Sequence, residues 1–275
     1  MTFTPGHDLI TSLERAGKRH IVEHRGRATV WREFGTGAPL VLLHGGHGSW
    51  MHWIRNIEAL AASRRVLVPD LPGYGESDAL PPDSGFNDLV DTVAAAIDTL
   101  LGAGTAFDLA GFSFGGVIAG RVALLRPAVR RLALLGAVGH GRRRRQGGAM
   151  LAWQGMGEGR MLAHLRHNLG VLMLHGAVDS LALEIHRYSC IHTRYQSKRT
   201  SLSPILSDTL QGLELPVLML WGEHDPTGDP EEVGALWQGH RAERTYDILK
   251  GAGHWVQYEA ALQVNARLLA WCSLR

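Results

Sequence analysis

Five short apolar runs without strict polar alternation set the limits on what this chain folds into. They are Leu40-Val41-Leu42-Leu43, Val66-Leu67-Val68, Phe107-Asp108-Leu109-Ala110, Leu132-Ala133-Leu134-Leu135 and Val217-Leu218-Met219-Leu220. A strand with one wet face alternates apolar and polar side chains, so such runs belong to strands covered on both faces. Stretches of helical periodicity lie at residues 53–62, 87–101, 117–125, 231–237 and 256–271. Strand and helix alternate, which predicts an α/β fold with a mostly parallel, doubly wound sheet. Near the start, Ile21-Val22-Glu23-His24, the turn Arg25-Gly26-Arg27 and Thr29-Val30-Trp31-Arg32-Glu33-Phe34 read as an antiparallel hairpin at one sheet edge. The alternation breaks between residues 139 and 212, where helical patterns follow one another without a strand. The expected organisation is a core domain at 1–139, a helical lid or cap at 140–212 and the rest of the core at 213–275. Such an insertion, at the carboxyl ends of the strands, covers the crevice where open α/β sheets bind ligands.

With 275 residues, 45% of them hydrophobic and 20% charged, the chain suits one large α/β domain with an insertion rather than a disordered or fibrous protein. A formal charge of +2, with 15 His counted neutral, gives no global electrostatic case for nucleic acid or membrane partners. The expected partner is a small-molecule substrate, and a homo-oligomer is left open. Cys190 and Cys272 make no disulfide framework and have no metal-type spacing, which fits a reducing compartment. No apolar leader or bilayer-length run is present, so the expectation is a cytoplasmic protein. His164, His167, His175, His186 and His192 are scattered without ligand spacing, and neither a metal nor a cofactor is expected. The run Arg142-Arg143-Arg144-Arg145 reads as a solvated face, with attraction of an anionic substrate or partner as the competing reading.

Gly111-Phe112-Ser113-Phe114-Gly115-Gly116 stands between a strand-like and a helix-like run. A serine on a sharp strand-to-helix turn needs small neighbours, because Cβ atoms there collide with adjacent backbone. This is the pattern of a nucleophile elbow, with the Phe114 N–H and the positive helix end aimed at an oxyanion beside Ser113. Gly-rich turns of this kind also suit phosphate binding or simple chain reversal, so the partners decide. A neutral hydroxyl needs a base to accept its proton and a carboxylate to orient that base. His254, in Gly251-Ala252-Gly253-His254-Trp255 after a strand-like run at 245–249, is the expected base; a surface-loop histidine is the competing reading. Asp225 closes the strand end Gly222-Glu223-His224-Asp225 and is the expected acid, against a helix-capping role, with Asp229 the alternative. The order Ser, Asp, His matches the elbow fold. A second oxyanion donor is expected from His44-Gly45-Gly46-His47-Gly48: Gly46, beside Phe114, with His44 bracing the loop.

Five motifs in one order resemble the α/β-hydrolase fold family over nearly the whole chain. They are His44-Gly45-Gly46, the loop from Asp70 to Asp78, Gly111-Phe112-Ser113-Phe114-Gly115-Gly116, Gly222-Glu223-His224-Asp225 and Gly253-His254-Trp255. The resemblance implies a nucleophile at Ser113, an acid at Asp225, a base at His254 and a structural role for the 70–78 loop. Serine at the elbow departs from haloalkane dehalogenases and epoxide hydrolases, which place Asp there. The segments from His44 to Trp50 and from Gly253 to Glu259 are most similar to meta-cleavage product hydrolases, which cut a carbon-carbon bond in vinylogous 1,5-diketones. That subfamily has one more glycine where this chain has His47, and a lid arginine against the substrate carboxylate. Arg187 and Arg194 are the candidates for that arginine, surface charge being the competing reading. The resulting expectation is a cofactor-independent serine hydrolase acting on a carboxylic ester or similar activated carbonyl. Carbon-carbon cleavage, acyl transfer to an alcohol and a catalytically slow ligand receptor are the alternatives. Trp50, Trp53 and Trp255 are candidate walls of an acyl pocket, with core burial as the rival account. Met150, Met156, Met161 and Met173 suit an adaptable apolar cover.

Overall fold

The computed structural model describes residues 5–145 and 148–274; Gln146 and Gly147 of the expected lid lie outside them. Eight strands form one sheet: β1 (Lys18–His24), β2 (Arg27–Phe34), β3 (Ala38–Leu43), β4 (Arg64–Pro69), β5 (Phe107–Phe112), β6 (Val129–Leu135), β7 (Val217–Gly222) and β8 (Arg244–Leu249). Their order is β1-β2-β4-β3-β5-β6-β7-β8. β1 pairs with β2 and β2 with β4 in antiparallel fashion, and every other pairing is parallel. The core therefore forms as expected, an α/β sheet with its hairpin at one edge.

The apolar runs work by sending alternate side chains to opposite faces. Leu40 and Leu42 join one buried cluster, with Val66, Val68, Leu218 and Leu220. Their neighbours Val41 and Leu43 join the other, with Leu67, Leu109, Val217 and Met219. Both faces are dry, which is why polar alternation is missing.

Eleven helices flank the described strands: α1 (Pro5–Ala16), α2 (Ile57–Ala61), α3 (Phe86–Leu101), α4 (Phe114–Leu125), α5 (Glu158–Leu172), α6 (Ser180–Ile191), α7 (Lys198–Ser201), α8 (Ile205–Gln211), α9 (Pro230–Gln238), α10 (Val256–Glu259) and α11 (Ala261–Ser273). The sequence reading did not assign α1, although Leu13 is buried and Leu9 and Ile10 pack beside it on the core. The stretch 53–62 is shorter than expected, a 3-10 turn at Trp50–Trp53 followed by α2. The stretch 256–271 breaks at Ala260 into α10 and α11. Between β6 and β7 the described residues hold α5 to α8 and no strand. No helix among the described residues is long and apolar enough to cross a membrane.

Candidate active site

Ser113 is the junction of β5 and α4, with φ 52° and ψ −118°. A non-glycine residue at such angles is held there by its surroundings, at a cost of about 1–3 kcal/mol. The Ser113 N–H donates to the Leu135 carbonyl at 2.9 Å, which ties the turn to β6. The flanking glycines are sterically required: a Cβ on Gly111 would lie 2.3 Å from the Gly115 carbonyl oxygen, and one on Gly115 would lie 2.4 Å from that of His44.

The carboxyl ends of β7 and β8 bring the other two groups. The Ser113 hydroxyl donates to His254 Nε2 at 2.9 Å, and His254 Nδ1–H donates to Asp225 Oδ2 at 2.8 Å. Thr227 completes this relay, its N–H and hydroxyl donating to Asp225 Oδ1 at 2.8 and 2.7 Å. Burial works against the fully enclosed Asp225 carboxylate. The positive charge of a protonated His254 and the hydrogen bonds from His254 and Thr227 nevertheless hold its pKa below the ordinary value. Asp229, the alternative acid, instead caps α9, accepting from the N–H groups of Glu231 and Glu232.

Phe114 opens α4, so its N–H has no carbonyl to bond within the helix. Gly46 lines the same cavity, close enough that a Cβ on it would lie 3.8 Å from the Phe114 Cβ. Two buried histidines brace the loop. His44 Nδ1–H donates to the Gly45 carbonyl at 2.8 Å while its Nε2 accepts the Leu71 N–H at 2.9 Å; burial lowers its pKa to about 4, so the ring is neutral. His52 Nδ1 accepts the Gly45 N–H at 3.3 Å, and the His52 carbonyl accepts the Trp255 indole N–H at 2.8 Å.

A cavity of about 320 Å³ opens beside Ser113, Phe114, Gly46 and His254. Val138, Met150, Trp153, Leu172 and Met173 supply its apolar wall, and Arg144, Lys198, His47, His186, Ser197 and Ser201 much of its polar one. No Asp or Glu is among the described lining residues. Cys190 also lines it, 3.6 Å from His186 Nε2, but burial pushes its thiol up to about 12, so it is not a thiolate at neutral pH.

Several expected substrate contacts lie elsewhere. Trp50, Trp53 and Trp255 are core residues at 1% exposure or less: the helical turns after the glycine loop and the base point them inward, onto the sheet. Arg187 pairs with Glu158 on the surface, 3.0 Å away. Arg194 braces the 70–78 loop through the carbonyls of Gly73, Gly75 and Ser77. Of the four methionines, Met150 and Met173 reach the cavity. Thr227, Trp153 and Lys198 line the cavity without having been singled out in the sequence. Within the basic run, Arg144 lines the cavity, whereas its neighbours Arg142 and Arg145 pair on the surface with Glu232 and Asp229. No group of three or more His, Cys, Asp or Glu among the described residues could hold a metal ion.

Comparison with known proteins agrees with this architecture. The chain is 31% identical over 269 residues to the dihydrolipoyllysine-residue acetyltransferase component of the acetoin cleaving system of Pseudomonas putida, covering 90% of this chain and 67% of that protein. It is 28% identical over 287 residues to 2-hydroxy-6-oxononadienedioate/2-hydroxy-6-oxononatrienedioate hydrolase of Paraburkholderia phymatum, covering 95% and 98%. The crystal structure of the esterase RhEst1 from Rhodococcus superposes with a TM-score of 0.75 at 23% identity, over 94% of this chain and 98% of that one, a likeness of fold. The model of the alpha/beta hydrolase family matches residues 40–267, and the chain belongs to that family as a hydrolase enzyme.

Proposed function

We propose that this chain is a cofactor-independent serine hydrolase that cleaves a carboxylic ester or similarly activated carbonyl through an acyl-enzyme. The observation that carries the reading is the unbroken relay from the Ser113 hydroxyl through His254 to Asp225 at 2.9 and 2.8 Å. Ser113 Oγ attacks the carbonyl carbon as its proton passes to His254 Nε2, and Asp225 stabilises the resulting imidazolium. The N–H groups of Gly46 and Phe114 hold the oxyanion, each worth about 3 kcal/mol in comparable sites. The intermediate collapses, breaking the bond to the leaving oxygen, which takes the proton from His254. Water then gives a proton to His254 and adds to the acyl carbon, and a second collapse frees the acid and restores Ser113. Residues 140–212 act as the lid, since Met150, Leu172, Met173 and Lys198 enclose the cavity from that segment.

The first test is labelling by a fluorophosphonate together with turnover of p-nitrophenyl esters. Ser113→Ala is expected to lose labelling and to lower kcat by more than about a thousandfold. Labelling elsewhere or undiminished turnover removes the assignment.

Carbon-carbon cleavage is the second reading, favoured by the likeness to an oxononadienedioate hydrolase over nearly the full length of both chains. Strong preference for a coloured dienoate over a short p-nitrophenyl ester promotes it. A ligand that raises the melting temperature but is not consumed favours a receptor.

A further inference from the structure

Among the described residues, Arg25, His47 and Ser113 are the non-glycine residues with positive φ. Arg25 turns the hairpin beside Gly26, and the Ser113 conformation belongs to the elbow. His47, at φ 49°, sits in the oxyanion loop between two glycines. A third glycine there would adopt the same backbone without strain, so the chain keeps a side chain against the local preference. A positive φ at a non-glycine residue beside the candidate nucleophile directs attention to what the side chain does there. The imidazole is exposed to the cavity that holds Gly46 and Ser113, and it has no hydrogen-bond partner among the described residues. Partial burial lowers its pKa. Lys198 and Arg144 line the same cavity. A neutral imidazole offers one donor and one acceptor.

Consecutive Cα atoms are about 3.8 Å apart, so residue 47 lies directly beside the Gly46 N–H, and both line the cavity that holds Ser113. In the proposed mechanism that oxygen belongs to the acyl portion, while the leaving oxygen is served by His254. The geometry points to His47 as a specificity-determining residue that hydrogen-bonds a second oxygen of the substrate, carried on the acyl portion close to the reacting carbonyl, as in alkoxy-, hydroxy- or oxo-acyl compounds. This inference rests on the Ser113 reading and names the substrate class of that site.

The test compares p-nitrophenyl methoxyacetate with p-nitrophenyl butyrate, which differ by an ether oxygen in place of one CH₂. In His47→Ala, kcat/KM for the methoxyacetate is expected to fall about five- to tenfold further than for the butyrate, the loss of one hydrogen bond. His47→Gly is expected to show the same selective loss with a melting temperature no lower than that of the parent. His47→Asn, which tolerates positive φ and keeps a donor and an acceptor, retains part of the preference. Equal losses on the two esters, or no loss on either, overturn the inference, and so does a lowered melting temperature in His47→Gly. Ser113→Ala separates the two levels. If turnover survives in it, the hydrolase reading fails; if it is inactive while the His47 variants treat both esters alike, the present inference alone fails.

Discussion

Thr227 fixes the carboxylate that the relay depends on, because its two donors fill the Asp225 oxygen that His254 does not use. It is a positioning residue, and Thr227→Val removes one of those donors with little change in shape. The expected result is a kcat lowered about tenfold with KM nearly unchanged, the size of one charge-assisted hydrogen bond. Buried histidines dictate a second behaviour. Burial lowers His44 and His186 to about 4, against 6.5 for an exposed ring, and His52 is lowered as well. Above pH 6.5 these rings are neutral in both the folded and unfolded chain. As pH falls below 6.5 the unfolded chain takes up protons that the folded one refuses, so stability declines until about pH 4. His44 and His186 each remove about 1.4 kcal/mol per pH unit across that window. Urea melts at pH 7.5, 6 and 5 check this, and a flat profile contradicts it. At this scale Ser113, His254 and Asp225 were legible because each sits at a fixed place relative to a strand end. The cavity wall was not. Whether Trp50 turns to the core, or Arg144 folds back over the site while Arg142 pairs with Glu232, depends on packing between segments far apart in the chain.

The elbow is the element with least freedom, since β5 and α4 meet where Gly111 and Gly115 press against backbone oxygens that cannot move aside. Gly115→Ala is expected to cost about 2–3 kcal/mol, seen as a melting temperature several degrees lower and as reduced fluorophosphonate labelling. Strands were easier to read than helices here because a dry strand carries its evidence in a few consecutive residues. Helix limits depend on tertiary hydrogen bonds. The stretch 53–62 is interrupted at Asn56, whose side-chain amide donates to the Gln257 carbonyl and to Asn265. The break at Ala260 follows Glu259, whose carboxylate leaves the helix direction to collect distant N–H groups. α1 becomes intelligible once Leu13 is seen against the core, with Leu9 and Ile10 beside it.

Across the whole molecule, Glu259 ties the inserted helices to the base loop. One carboxylate accepts the N–H groups of His175 at 3.0 Å and Gly176 at 2.7 Å, next to α5, and of Gly253 at 2.6 Å, next to His254. The Trp255 N–H adds a parallel link to the Met173 carbonyl at 2.8 Å. Removing Glu259 as Ala leaves three N–H groups without that acceptor and is expected to cost about 2–3 kcal/mol. Hydrogen exchange should quicken at residues 173–176 and 251–255 together, and exchange confined to one of the two segments refutes the coupling. The helices α5 to α8 lie where strand patterning is lost in the sequence, but their attachment was not legible there, since backbone donors leave no trace in side-chain composition. The sheet order has a further consequence for biosynthesis. Asp225 and His254 follow β7 and β8, so a ribosome-bound chain carries Ser113 well before either member of its hydrogen-bonded relay has been translated. Under the proposed mechanism, such a nascent polypeptide has its nucleophile but not yet its base or acid.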